Sequence, residues 1–128
     1  MKKLVFFSLV GALAVGAYAA DIVRYDMLGQ PGNQVSTAGV SDFAEITVSP
    51  LSRGTGLTAS AGANSLNSSG WALGDGDDAN DYVTFGFTVA GGFQANLQNF
   101  LIGSRSSDTG PSEILLKSSL DGYTATIA

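Results

Sequence analysis

The sequence predicts an all-β domain, an antiparallel β-sandwich of the jelly-roll or immunoglobulin-like kind, behind a secretory leader. Three observations carry that expectation. Residues 82–89 alternate large apolar with small side chains without a break. Beyond the leader no stretch repeats apolar residues at three-and-four spacing over two turns, and turn-forming Gly, Ser, Thr and Asn interrupt the chain about every ten residues.

The leader comes first. Lys2 and Lys3 precede an uncharged, mostly apolar run over 4–16, long enough to engage a translocon and short for a stable membrane span. Ala17-Tyr18-Ala19 places small residues at the two positions a signal peptidase reads, so cleavage is expected before Ala20, with Asp21 as the alternative start. The expected division is a signal-peptide helix over 1–19 and a sandwich domain over 20–128, with no membrane span in the mature chain.

Seven short strands follow. Residues 22–28 are rich in branched and aromatic side chains and end at Gly29-Gln30-Pro31-Gly32, a turn composition. In 43–49, Ala44, Ile46 and Val48 share one side, and Pro50 is expected to end the strand. Residues 57–60 are short and read as strand or coil. The run 82–89 puts Val83, Phe85, Phe87 and Val89 on one face, the expected middle of the core, each side chain contributing roughly 1.5–3 kcal/mol if fully buried. In 93–103 the alternation changes parity between Leu97 and Phe100, which predicts a bulge or bend at Gln98-Asn99. Residues 114–118 and 123–127 complete the set, joined by Leu120-Asp121-Gly122, where Asp-Gly signals a hairpin. The chain stops at Ala128 straight after an alternating run, which suggests truncation and an open sheet edge.

Charge and missing residue types narrow the function. Removal of the leader leaves four cations against eleven acids, and Arg24, Arg53, Arg105 and Lys117 are scattered, so no phosphate-tracking patch exists and nucleic acid is not an expected partner. The chain has no cysteine and no histidine, which excludes disulfides, thiolate chemistry and imidazole bases. Carboxylates such as Glu45 and Glu113 are the residue type used in pairs by glycosidases, but nothing places two across a cleft, so no enzymatic activity is expected.

Three places could bind something. Asp75-Gly76-Asp77-Asp78-Ala79-Asn80-Asp81 is the densest run of hard oxygen ligands, which suits calcium, with Asp75, Asp77, Asp78, Asn80 and Asp81 as the ligand set. Its spacing departs from an EF-hand loop, and the plain alternative is a solvated turn leading into the strand at Tyr82. Trp71, the only tryptophan, reads as a core residue or as a platform for a sugar ring. In the polar loop Arg105 to Ser112, Arg105 reads as the partner of Asp108 in a local ion pair or as a grip on a carboxylate or sugar.

The order of several segments resembles a known family. These are Arg53-Gly54-Thr55-Gly56-Leu57-Thr58-Ala59-Ser60, Asn64-Ser65-Leu66-Asn67-Ser68-Ser69-Gly70-Trp71, Asp81-Tyr82-Val83-Thr84-Phe85, Arg105 through Gly110-Pro111, and Leu116-Lys117-Ser118-Ser119-Leu120-Asp121-Gly122-Tyr123. Together they resemble the N-terminal β-sandwich module of bacterial exported proteins of the PEP-CTERM sorting type. The resemblance implies a secreted or cell-surface module of uncharacterised role without catalytic residues. The family's sorting tail, a Val-Pro-Glu-Pro type motif with a hydrophobic helix and basic end, is not present here. The expected function is a non-catalytic extracellular module associating with polysaccharide, matrix or other surface proteins. The alternatives are a structural spacer or assembly domain and a fragment of a secreted carbohydrate-active enzyme.

Overall fold

The strand at the centre of the fold forms where alternation and β-branching coincide. In the computed structural model, which describes residues 20–72, 79–108 and 110–127, Ile46–Arg53 (β4) lies between Ser36–Thr37 (β2) and Val83–Val89 (β7) in an antiparallel sheet of order β2-β4-β7. A ribbon of Arg24–Tyr25 (β1) with Gly39–Val40 (β3) packs on β4, and Thr58–Ala59 (β5) pairs with Ser68–Ser69 (β6). Every strand pair is antiparallel, and the described residues contain no α-helix. The fold is all-β. The expected leader, 1–19, lies outside the described residues.

Pro50 does not end its strand. Between Ser49 opposite Gly86 and Ser52 opposite Thr84 the register shifts, so β4 carries one more residue than β7, and Pro50, which has no N–H to contribute, sits in that bulge. A side chain replaces the interrupted ladder. The Tyr25 hydroxyl donates to the Ser49 carbonyl at 2.6 Å and accepts from the Gly86 N–H at 3.3 Å, tying both strands where they part. Its ring reaches this point because Gly39 of β3 leaves room: a Cβ there would collide with the Tyr25 ring and a Val48 methyl.

Register partners share a face, so Ile46 and Val48 stand beside Val89 and Phe87 as alternation requires. The expected burial of that face is not reached. Phe87 and Val89 are half-buried, Phe85 is 38% exposed and Val83 37%, and no apolar side chain among the described residues is fully buried. The reason is coverage. The two-residue ribbon lays one ring, Tyr25, edge-on against Phe85 at 6.3 Å, and Phe100 stacks on Phe85 at 5.5 Å, but among the described residues no second sheet of comparable width covers the face.

Three of the expected strands do not form ladders. Residues 93–103 pair with no strand among the described residues, and 114–118 and 123–127 meet only at an isolated antiparallel bridge, Lys117 with Thr126. The chain does reverse where Asp121-Gly122 predicted. The Ser118 hydroxyl caps a 3-10 turn over Ser119–Asp121 by accepting from the Leu120 N–H, and Gly122 closes it in the left-handed region. Residues 22–28 contract to β1, and 57–60 to β5.

Candidate functional site

Arg53 is the most connected side chain among the described residues, and its position follows from the bulge. The last residue of β4, beyond the bulge, it reaches the place where the loop around Gly32 meets the end of the β5–β6 hairpin. One guanidinium nitrogen donates to the Gln34 carbonyl and another to the carbonyls of Gly32 and Asn67, each at 2.6 Å. Its Nε donates to the Asn67 carbonyl at 3.1 Å and to the Ser68 hydroxyl at 2.9 Å. The fixed fork of donors suits two convergent segments in a way a lysine would not. Burial lowers its pKa below the ordinary guanidinium value, and no carboxylate pairs with it among the described residues. Arg53 is therefore a clamp on backbone, not a free ligand-binding cation. The two segments it joins are already close. Gly32, at φ +92, lies against the Gly62 backbone where no Cβ fits, and its bridge partner is Leu66.

The end of the acidic run is committed to local structure. Asp81 accepts the Ala72 N–H at 2.6 Å, the Asn80 carbonyl accepts the Gly56 N–H, and the Thr55 hydroxyl approaches the Asn80 side-chain oxygen at 3.4 Å. Asp75, Asp77 and Asp78 lie outside the described residues. Among the described residues no three acidic side chains converge on a cation site.

Trp71 is half-buried, and its indole N–H donates to the Ser68 carbonyl at 3.3 Å, beside the Arg53 clamp. It is not a core residue, and its one donor is occupied. Arg105 and Asp108 are exposed, and the ion pair expected between them is not formed; Arg24, by contrast, pairs with Asp21 and Asp42. The turn closes instead through backbone, the Gly110 N–H donating to the Ser107 carbonyl at 2.9 Å. The structure thus ties Asp81 to the chain next to Trp71 through the Ala72 N–H, and no hydrogen bond or ion pair joins Arg105 to either among the described residues.

Sequence reasoning missed one concavity. A shallow cleft of about 240 Å³ lies where the first turn of β4 meets the end of β7, between Ile22, Phe43, Ile46, Val89 and Phe93, with Glu45 at its margin. Its walls come from the start of one strand and the finish of its antiparallel neighbour, which the register Ile46 opposite Val89 brings together. Among the described residues Tyr25 is the other titratable group with a displaced pKa. Desolvation raises it above 10.0, and the bond with the Gly86 backbone partly offsets the rise. No described helix is long and apolar enough to cross a membrane. Comparison with family models, curated proteins and solved structures gives no match, so the likeness to exported β-sandwich modules rests on the quoted segments alone.

Proposed function

We propose that the chain is a non-catalytic, exported β-sandwich module, secreted or held at the cell surface, that works by associating with other protein surfaces. The observation that carries this reading is the open apolar face. Phe85, 38% exposed, stacks on Phe100, 52% exposed, and Phe93, Leu101 and Ile102 of the same following segment are 58%, 97% and 59% exposed; exposed apolar patches mark interaction surfaces. The lack of cysteine and histidine supports a role without chemistry. The leader-like start supports export, and structural calcium at Asp75, Asp77, Asp78, Asn80 and Asp81 fits an oxygen-only ligand set.

A second reading, association with extracellular polysaccharide, is favoured by Arg105 and Asp108, which stand exposed and unpaired among the described residues. Trp71 contributes less to it, because its N–H is already bonded to Ser68. Sedimentation of the exported protein over a hundredfold concentration range, run beside a polysaccharide pull-down, separates the two. Concentration-dependent association with no polysaccharide retention is expected; a strict monomer retained on polysaccharide would overturn the first reading.

A further inference from the structure

We infer that β7 is a self-pairing edge, through which two copies of this chain join antiparallel about a twofold axis at Gly86. The inference rests on the association reading above and names its partner. β7 reads Val83-Thr84-Phe85-Gly86-Phe87-Thr88-Val89, a palindrome centred on Gly86. In a twofold antiparallel pair each side chain then meets its own kind: Val83 faces Val89, Thr84 faces Thr88, and Phe85 faces Phe87. Thr–Thr and aromatic pairs are among the favourable cross-strand combinations, and a twofold interface requires self-complementarity of this sort.

The strand is placed to do this. It lies at the end of the order β2-β4-β7, and among the described residues no strand pairs with its outer edge. The following chain meets it through the ring of Phe100, not through a ladder. Protected edges carry charges, prolines or bulges. β7 has none of these, the bulge of this sheet lying on β4, so two copies brought together set no like charges opposite each other.

The hydrogen-bond parity agrees. Bonds from the Gly54 N–H to the Tyr82 carbonyl and from the Ala90 N–H to the Glu45 carbonyl show that even-numbered residues turn their backbone groups toward β4. Val83, Phe85, Phe87 and Val89 therefore turn theirs outward. A twofold axis at Gly86 pairs odd residues with odd residues, so Phe85 and Phe87 exchange both bonds, and two three-stranded sheets become one of six.

Gly86 then opposes itself as a non-hydrogen-bonded pair, with Cα atoms about 4.5 Å apart, within disulfide range. A Cβ added there meets nothing within 4 Å, and the chain has no other cysteine. Under mild oxidation the exported Gly86→Cys protein should form a disulfide dimer in several-fold higher yield than Thr84→Cys, whose two copies would lie about 14 Å apart along the strands. Equal yields, or no dimer, would overturn the pairing. Thr84→Lys with Thr88→Lys should weaken self-association about tenfold, and an equimolar mixture with Thr84→Glu plus Thr88→Glu should restore it. Association in sedimentation without the Gly86 bias would defeat this register and leave the association reading standing; a strict monomer would defeat both.

Discussion

Replacing Arg53 with alanine removes donors that hold three chain segments together, and the structure sets the scale of the loss. The guanidinium serves the carbonyls of Gly32, Gln34 and Asn67 and the Ser68 hydroxyl, with three contacts at 2.6 Å. Hydrogen bonds to a charged group contribute about 1.5–3 kcal/mol each where water is excluded. The clamp is only half-buried and its bonds share one side chain, so they do not add; a total loss of about 2–4 kcal/mol follows. For a domain of this size that lowers Tm by roughly 10–20 °C. Thermal unfolding followed by far-UV circular dichroism measures it. Arg53→Lys should recover little, because one ammonium cannot reach the acceptors of both the Gly32 loop and the β5–β6 hairpin. Arg24→Ala is the control: its contacts with Asp21 at 3.0 Å and Asp42 at 3.9 Å are exposed and worth about 0–1 kcal/mol. If Arg53→Ala melted no lower than Arg24→Ala, the clamp would have no energetic role and the account of how these segments are joined would be wrong.

Tyr25→Phe should cost about 1 kcal/mol by urea unfolding, since it leaves the Ser49 carbonyl and the Gly86 N–H at the bulge without their shared bridge. The folded state raises the Tyr25 pKa above 10.0, so its contribution is complete below that pH and is lost as pH rises through the folded value; the wild type should lose stability above pH 10 more steeply than Tyr25→Phe. Gly32→Ala combines a positive φ of +92 with a collision against Gly62 and should destabilise by about 2 kcal/mol or more, read as a lower urea midpoint; an unchanged midpoint would show that these two segments are not in contact in solution. Calcium at a hundred times its dissociation constant should stabilise the protein by about 2.7 kcal/mol, reversed by chelator, and a Tm indifferent to both would remove calcium from the account.

The sequence by itself determined the fold class and the strand at 83–89, because side-chain alternation is a local property that any sheet must respect. It also located the chain reversal at Asp121-Gly122, where backbone chirality favours glycine. It misjudged Pro50, since whether a proline ends a strand depends on whether the neighbouring strand can accept a bulge at that point. The two-residue strands β2, β3 and β6 left no readable period, being too short to show one. The expected core failed for a related reason: alternation says which side chains share a face, but not whether another layer exists to cover it. Arg53 looked like one scattered cation among four, and Tyr25 like an ordinary strand residue. Only the tertiary structure brought the Gly32 loop, the β5–β6 hairpin and the bulge within a few ångströms of them, because hydrogen bonds between distant segments depend on three-dimensional proximity that no local pattern encodes.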